Sequence, residues 1–216
     1  MTKKTCIIDY KLGNLFSVNQ ALKNIGHEVV ISSNPKDIHS CHAIVLPGVG
    51  AFGEGMKNLD NLNLIQPILD AIRSGKPFLG ICLGLQLLFS ESEEFGTTNG
   101  LGVIKGNVKR FNKVNPFGIP RKVPQIAWNQ IFIPSGKNWN NTVLENIDEG
   151  TYMYFVHSYF VEPIDPVELS VTNYDGQEYI SSILKDNVFA CQFHPEKSAD
   201  EGLKIYRNWT ELNNLL

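Results

Sequence analysis

The sequence predicts an α/β fold: an open, mostly parallel sheet flanked by helices, with additional antiparallel strands in the C-terminal half. Three observations support this. Short apolar runs alternate with segments of helical spacing up to residue 89, and six strand-like runs separated by turn residues follow Gly100. The chain also has 216 residues, 43% of them hydrophobic and 19% charged, which is typical of a globular protein. Because no repeat or linker interrupts it, we expect one domain over residues 1–216.

The first half contains the alternating elements. Strands are predicted over 5–10, 27–32, 43–46 and 77–81. Asn14 is a suitable N-cap for a helix that carries apolar residues at helical spacing and stops at Gly26. Apolar residues at helical spacing between Met56 and Ile72 predict further helix, interrupted by turn-like positions and Pro67. A short helix over 83–89 should follow the fourth strand.

The second half is richer in strands. Strand-like runs cover 102–111, 125–133, 152–162, 169–174, 180–185 and 188–193. Asn, Pro and Gly turns link them, so they should extend the sheet or add a smaller antiparallel layer. A closing helix is predicted over 199–212.

Composition argues against several classes of function. The net charge is −3 and the pI about 6.0, and basic residues are scattered, so we expect no nucleic-acid partner. The longest uncharged apolar stretch, 78–89, is shorter than the roughly 20 residues of a membrane span. The N-terminal apolar run is too short for a signal peptide, which predicts a cytoplasmic protein without membrane association.

The four cysteines are widely spaced, with no CxxC pair that would suggest zinc or redox chemistry. In a reducing compartment most should be buried free thiols, and we expect this of Cys6, Cys41 and Cys191. No histidine pair has metal-ligand spacing. The sequence therefore predicts neither a metal site nor a cofactor.

Cys82 has a different context. It lies between Gly80 and Gly84, where a buried strand meets a helix, and G-x-C-x-G has the spacing of the G-x-S-x-G nucleophile elbow. Such a sharp turn exposes the central side chain, and glycines on both sides avoid clashes between Cβ atoms. A helix N-terminus also favours the thiolate. Cys82 is therefore the candidate nucleophile, although a buried structural thiol is the common alternative.

His194 and Glu196 follow the strand over 188–193 directly. Imidazole is the usual partner of a thiol nucleophile, and a carboxylate two residues away would hold one tautomer. On its own, His-Pro-Glu is as well explained by a surface turn, so this assignment depends on Cys82. Among the other histidines, His27, His39 and His42 are expected to be solvated, and His157 to serve packing or hydrogen bonding.

A glycine-rich loop follows the third strand. Gly48, Val49 and Gly50 can turn backbone N–H groups toward a ligand, as a tetrahedral oxyanion requires. The same loop suits phosphate, or simply a tight turn. It lacks the Gly-Lys-Ser/Thr ending of a P-loop and the position of a dinucleotide site.

Together these motifs resemble the class I, triad-type glutamine amidotransferase family. They are GICLGLQ over 80–86, QFHPE over 192–196 and PGVG over 47–50, in that order. Within the family, four segments are similar to the HisH group, the glutaminase subunits of imidazole glycerol phosphate synthase. These are DY and GN within 9–14, PGVGAF over 47–52, YFVHSY over 154–159 and HPEKS over 194–198. The resemblance covers essentially the whole chain.

The resemblance implies roles for these residues. Cys82 would attack the glutamine side-chain amide, forming a glutamyl thioester and releasing ammonia, while His194 shuttles protons and Glu196 orients it. The loop Gly48–Gly50, with the backbone N–H of Leu83, would form the oxyanion hole. The residues implied to hold the glutamine backbone groups are Gln86, Ser158 and Tyr159. The implied partner is HisF, a (βα)₈-barrel cyclase subunit that receives the ammonia, with Trp128 and Lys197 at the interface.

One segment departs from the family pattern. Histidine-pathway members usually read Pro-His-Met-Gly-Trp where this chain reads Pro124-Gln125-Ile126-Ala127-Trp128. The departure leaves a second acceptor open, such as an enzyme that builds acetamidino sugars for surface polysaccharide. Another cysteine hydrolase, a peptidase or a γ-glutamyl hydrolase, and a non-enzymatic subunit on the same fold are further alternatives.

Overall fold

A computed structural model describes residues 3–216 of the chain. The strands are β1 (Lys4–Ile8), β2 (Glu28–Ser32), β3 (Ala43–Gly48), β4 (Phe78–Cys82), β5 (Phe89–Ser92), β6 (Thr98–Asn99), β7 (Ile104–Arg110), β8 (Gln125–Gln130), β9 (Tyr152–His157), β10 (Tyr159–Pro163), β11 (Glu168–Tyr174), β12 (Gln177–Lys185) and β13 (Val188–Cys191). The helices are α1 (Leu15–Asn24), α2 (Pro35–Ser40), α3 (Phe52–Asn61), α4 (Ile65–Arg73), α5 (Leu83–Gln86) and α6 (Ala199–Leu212), with a 3₁₀ turn over Pro195–Lys197.

The central sheet confirms the predicted fold class. Its order is β2-β1-β3-β4-β13-β12-β10-β7-β5-β6, with β11 paired to β12. The strands from β2 to β13 run parallel, and β12, β10 and β11 join them in antiparallel pairs. In such a sheet the carboxyl ends of parallel strands meet at one edge, where ligands bind. Strands β3, β4 and β13 are direct neighbours there.

Two apolar cores cover the two faces of this sheet. Alternate residues of β1 point to opposite faces, so Ile7 joins the core under α1 and α6, while Cys6 and Ile8 join the core under α2 to α5. Asn14 caps α1, as predicted, by accepting from the Ser17 backbone N–H. Both cores share one central sheet, although a single domain over residues 1–216 stays a prediction.

Some predicted boundaries are wrong. The helix expected over 83–89 ends at Gln86, because Phe89 instead begins β5, which pairs with β7. Loop N–H groups, including that of Leu101, bond the carbonyls of Leu87 to Phe89. The strand expected over 152–162 is broken at Ser158 into β9 and β10. The helix α2 and the short strands β5 and β6 were not predicted.

A separate two-stranded antiparallel sheet is formed by β8 and β9. Met153 and Phe155 point into the core, whereas Ile126, Trp128 and Tyr152 lie exposed on the other side. Within residues 3–216, no helix combines the length and apolarity that crossing a bilayer requires. The same residues contain no group of three or more metal-ligating side chains.

Candidate active site

Cys82 sits at a strained turn between β4 and α5. Its φ of 54° and ψ of −106° are unusual for a residue with a side chain. The glycines on either side make this turn possible. A Cβ on Gly84 would lie 1.8 Å from the Leu46 carbonyl oxygen, and one on Gly80 would lie 3.0 Å from Ala190 Cβ. The G-x-C-x-G pattern thus reflects close backbone packing around the thiol.

The glycine-rich loop reaches Cys82 through strand pairing. Gly48, the last residue of β3, is paired in register with Cys82. A Cβ on Gly48 would lie 1.9 Å from the Tyr10 hydroxyl and 2.8 Å from Leu83 Cβ, so only glycine fits here. Val49 and Gly50 are exposed, and Gly50 has a φ of +114°, which favours glycine. The loop therefore starts beside the thiol and the first turn of α5.

His194 and Glu196 lie next to Cys82 because β13 is the parallel neighbour of β4. His194 Nδ1 is 2.8 Å from Glu196 Oε1, and the two side chains are 2% and 1% exposed. Ser198 Oγ stabilises the turn over residues 194–198. It donates to the His194 carbonyl and accepts from the Tyr154 N–H of β9. In residues 3–216, His194 Nε2 makes no hydrogen bond, which leaves that nitrogen for the thiol.

The charge on this histidine depends on the thiol. Burial lowers the pKa of His194, but the Cys82 thiolate and the Glu196 carboxylate outweigh it and raise the pKa to about 10. A thiol beside one ring nitrogen and a carboxylate on the other is the arrangement in which a cysteine nucleophile can pass its proton to histidine. The protonated ring can then give its proton to a leaving amine.

A chain of side-chain amides lies on the other side of the thiol. Gln192 Nε2 is 3.5 Å from Cys82 Sγ, and Gln192 Oε1 accepts from Gln86 Nε2 at 3.0 Å. Gln86 also donates to the Tyr159 carbonyl at 3.0 Å. Gln86 and the Ser158–Tyr159 turn, which were predicted to hold substrate, are thus joined directly. Sequence reasoning gave no role to Gln192, although it is the first residue of the QFHPE motif.

Glu94 is a second residue that sequence reasoning missed. Its Oε2 accepts from the Phe52 N–H at 2.6 Å, at the start of α3 and just after the glycine-rich loop. Burial raises the pKa of Tyr159, and the electrostatic effect of Glu94 raises it further. A carboxyl group therefore lies close to both the loop and the Ser158–Tyr159 turn. Its only signal in the sequence was an acidic stretch after β5.

The outer face of the β8–β9 sheet, which we call the apolar outer face, is formed by Ile126, Trp128 and Tyr152 and lies close to Cys82. Trp128 is 50% exposed and stands edge-on to Tyr154, with ring centroids 6.1 Å apart. Lys197 Nζ lies 5.6 Å above the same Tyr154 ring. The neighbouring Val156 carbonyl is 3.8 Å from Cys82 Sγ. Only the strand β9 therefore separates this face from the thiol.

The other histidines and cysteines show one error in the predictions. His27 is buried, not solvated, because it bonds Thr5 Oγ1 at 2.8 Å and Thr210 Oγ1 at 2.7 Å, linking β1 to α6. His39 and His42 are exposed, as expected. His157 is buried with both ring nitrogens engaged. The cysteines expected in the core, Cys6, Cys41 and Cys191, are buried and free.

Two open cavities lie away from the thiol. One, of about 620 Å³, lies between β10 and the β11–β12 pair. The other, of about 650 Å³, lies between α1 and α6, with Glu196 in its wall. Cys82 itself is only 6% exposed.

Several known proteins are similar to this chain over almost its whole length. A sequence profile described as glutamine amidotransferase class-I matches residues 6–211. "Imidazole glycerol phosphate synthase subunit HisH" of Aquifex aeolicus (strain VF5) is 49% identical, over 95% of both chains. "Imidazole glycerol phosphate synthase subunit HisH 1" of Legionella pneumophila (strain Lens) is 46% identical, over 95% of this chain and 98% of the relative.

Solved structures share the fold. "Structure of PurLQS from Thermotoga maritima" superposes with a TM-score of 0.72 and 22% identity, covering 98% of this chain and 99% of the other. "Crystal structure of glutamine amidotransferase" gives 0.72 at 19% identity, over 97% and 98%. At such identities the likeness concerns the fold alone.

Proposed function

The chain belongs to the class-I glutamine amidotransferase family, and on this basis we propose that it is the glutaminase subunit of an imidazole glycerol phosphate synthase. It hydrolyses L-glutamine to glutamate and ammonia and passes the ammonia to a cyclase subunit of the HisF type. The observation that carries the proposal is the convergence of Cys82, at its strained turn, with the His194–Glu196 pair at the end of the adjacent strand.

The first half of the reaction is attack by the Cys82 thiolate on the side-chain amide carbon of glutamine. A C–S bond forms, and the carbonyl electron pair moves onto oxygen. Backbone N–H groups of the Gly48–Gly50 loop and of Leu83 stabilise this oxyanion, since the loop starts beside the thiol. As the carbonyl re-forms, the C–N bond breaks and His194 gives its proton to the leaving nitrogen. Ammonia and a glutamyl thioester result.

The second half regenerates the enzyme. Neutral His194 accepts a proton from water, and the resulting hydroxide attacks the thioester carbon. The C–S bond breaks, releasing glutamate and restoring the thiolate beside the imidazolium. Glu196 holds Nδ1 through its 2.8 Å contact, so Nε2 faces the reacting atoms in both halves.

Residues around the amide chain hold the rest of the substrate. Free glutamine carries an ammonium and a carboxylate that a glutamine side chain within a protein lacks. Glu94, beside the loop, has the charge that an ammonium group requires. Gln86, Ser158 and Tyr159 supply amide and backbone groups opposite it. A site with these partners selects the free amino acid.

The apolar outer face is the docking surface for the ammonia acceptor. Trp128, Ile126 and Tyr152 are large exposed side chains of one small sheet, and Lys197 lies at its margin. Because the Val156 carbonyl touches the thiol from beneath this face, ammonia leaves toward the partner over a short path. A docked acceptor keeps ammonia from protonating in water. The HisF-type partner is a (βα)₈-barrel enzyme, and the cytoplasm, where four free thiols persist, is the expected location.

Labelling and partner activation test the function. A glutamine-like chloroketone should modify Cys82, and excess free glutamine should block it. Cys82→Ser should abolish both labelling and glutaminase activity, whereas Cys41→Ser, a matched buried cysteine, should retain both. A HisF-type cyclase with its nucleotide substrate should raise the rate of glutamine hydrolysis. If the chloroketone labels Cys82 at the same rate with and without free glutamine, the result would favour a cysteine hydrolase of another kind.

A second acceptor remains the alternative, and the Gln125-Ile126-Ala127 segment favours it because it departs from the histidine-pathway pattern next to the docking surface. The same glutaminase chemistry would then serve an enzyme such as an acetamidino-sugar synthase. Co-purification of the untagged partner decides between the two. Activation by the sugar-modifying enzyme, with none by the cyclase, would overturn the histidine-pathway assignment.

A further inference from the structure

Three buried polar side chains that the mechanism does not use lie in a line behind the Ser158–Tyr159 turn. They are Gln125, Tyr179 and His157, each 6% exposed or less. The Tyr179 hydroxyl is 3.1 Å from Gln125 Oε1 and 3.2 Å from His157 Nε2. His157 Nδ1 is 2.8 Å from the Tyr159 carbonyl. Aromatic rings enclose the line, Phe111 at 5.2 Å from His157 among them, so water does not compete for these bonds.

One end of this line meets the substrate site. The Tyr159 carbonyl accepts from His157 on one side and from Gln86 Nε2 on the other. Gln86 is bonded to Gln192, and Gln192 Nε2 lies 3.5 Å from Cys82 Sγ. The orientation of one peptide group therefore depends on a bond from each side. A change in the position of His157 would therefore alter the hydrogen bonds of Gln86 and the surroundings of the Cys82 thiol.

The other end meets the proposed docking surface. Gln125 is the first residue of β8 and is paired in register with His157 of β9. Its neighbour in sequence, Ile126, is 56% exposed on the outer face, two residues before Trp128. Successive residues of a strand point to opposite sides. A partner that presses on Ile126 thus acts on the same backbone that carries Gln125 inward.

The protonation state of His157 determines which group donates and which accepts in each hydrogen bond of the line. If Tyr179 donates to Gln125, both nitrogens of His157 must donate, and the ring must be cationic. Burial opposes this and lowers the pKa of His157 to about 4, so the ring is neutral near neutral pH. Nδ1–H then donates to the Tyr159 carbonyl, and Nε2 accepts from Tyr179. Gln125 Nε2 has no partner in the described part of the chain, and turning the amide over lets it donate to the Tyr179 oxygen.

We propose that Gln125, Tyr179 and His157 are positioning residues that set the Tyr159 carbonyl for glutamine binding and couple it to the partner-docking face. The inference rests on the proposed function and names how docking reaches the glutamine site. The line runs from the Gln125 amide through the Tyr179 hydroxyl to His157 and the Tyr159 carbonyl. None of the three touches substrate.

The test compares two Tyr→Phe variants in the complex with the cyclase and its nucleotide substrate. Tyr179→Phe removes the hydroxyl from the line. Tyr174→Phe is the matched control, since its hydroxyl bonds the Lys122 carbonyl outside the line and its ring packs on the same Phe111. One lost hydrogen bond corresponds to a factor of about 3 to 10. Tyr179→Phe should raise KM for glutamine and lower the stimulation of kcat by the partner by about this factor.

Turnover of the cyclase with added ammonia in place of glutamine does not use the glutamine site. It should be unchanged in both variants, which would show that the acceptor subunit is undamaged. Tyr174→Phe should stay within about twofold of wild type in every readout. Gln125→Leu should resemble Tyr179→Phe, whereas Gln125→His should retain function, because an imidazole N–H can also donate to Tyr179. The rate at which the chloroketone labels Cys82 should follow the same order.

Several outcomes overturn the inference. Wild-type KM and stimulation in Tyr179→Phe would show that the line does not position the site. Equal losses in Tyr179→Phe and Tyr174→Phe, in proportion to their losses of thermal stability, would assign both residues to packing alone. If Gln125→His fails as Gln125→Leu does, donation to Tyr179 is not what matters. Wild-type protein that hydrolyses no glutamine with any partner would instead overturn the proposed function, whatever the variants do.

Discussion

Gly84→Ala offers a sharp test of the geometry around the nucleophile. The added methyl carbon would lie 1.8 Å from the Leu46 carbonyl oxygen, a backbone atom that cannot rotate away. Ordinary contact begins at 3.4 Å, so the two groups must separate by about 1.6 Å, the difference between these distances. Leu46 pairs with Gly80 in the β3–β4 ladder, which resists the movement. The first turn of α5 should therefore shift, together with Cys82 and Leu83.

The expected losses follow from this displacement. Overpacking of this kind costs about 1–3 kcal/mol and lowers Tm by roughly 2–12 °C for a chain of this size. A shift of about 1 Å at the reacting atoms lowers catalysis by on the order of 100-fold. Thermal unfolding and kcat/KM for glutamine, measured on the same preparation, report the two effects.

Gly53→Ala is the matched control for this variant. Gly53 lies in the first turn of α3, and the nearest atom to an added Cβ is Thr98 Oγ1 at 3.5 Å, an ordinary contact. Alanine favours helix over glycine by about 1 kcal/mol, so Tm should stay level or rise. Gly84→Ala with the Tm of wild type and activity within about twofold would refute the reasoning, since 1.6 Å would then be absorbed without consequence.

Three further predictions concern charge and binding. Because burial lowers the pKa of His194 but Cys82 and Glu196 raise it to about 10, protonation of the ring should stabilise the fold fully below pH 6.5, and this stabilisation should decline above pH 6.5 and be lost as pH rises through about 10. An NMR titration of the ring should show this midpoint, and Cys82→Ala should move it down; an unchanged midpoint would mean that the two groups do not interact. Burial lowers the pKa of His27, so stability should decline as pH falls below 6.5, and His27→Leu should flatten this dependence in melts between pH 5 and 7. Trp128→Ala should weaken cyclase binding by about 2 kcal/mol in calorimetry and leave glutamine hydrolysis by the free chain within about twofold; equal affinity would remove Trp128 from the interface.

The sequence predicted the elements whose signals are local. The Asn14 cap, the buried strand before Cys82 and the glycines around it need no distant contact to be recognised, and each lies where expected. The alternation of strands and helices was enough to predict the parallel sheet. The motifs around Cys82 and His194 then predicted which strand ends meet.

Features that depend on distant contacts were missed. His27 looked like a loop histidine because its partners include Thr210, which is 183 positions away. The chain leaves the helix after Gln86 because Phe89 pairs with Ile104 of β7, and backbone N–H groups of residues 101–104 bond the carbonyls of residues 87–89. Glu94, in the turn after β5, acquires its place because Phe52 at the start of α3 donates to it. None of these follows from periodicity.

The pairing of β4 with β13 also bears on when the protein becomes reactive. Cys82 is synthesised early in translation, but His194, its proposed base, lies 112 positions later in the sequence. A nascent polypeptide that has emerged only to residue 190 carries a cysteine with no imidazole beside it. During synthesis the thiol therefore lacks the proton donor that the proposed glutaminase reaction requires. The proposed activity therefore begins only after β13 has added to β4 and completed the parallel part of the sheet.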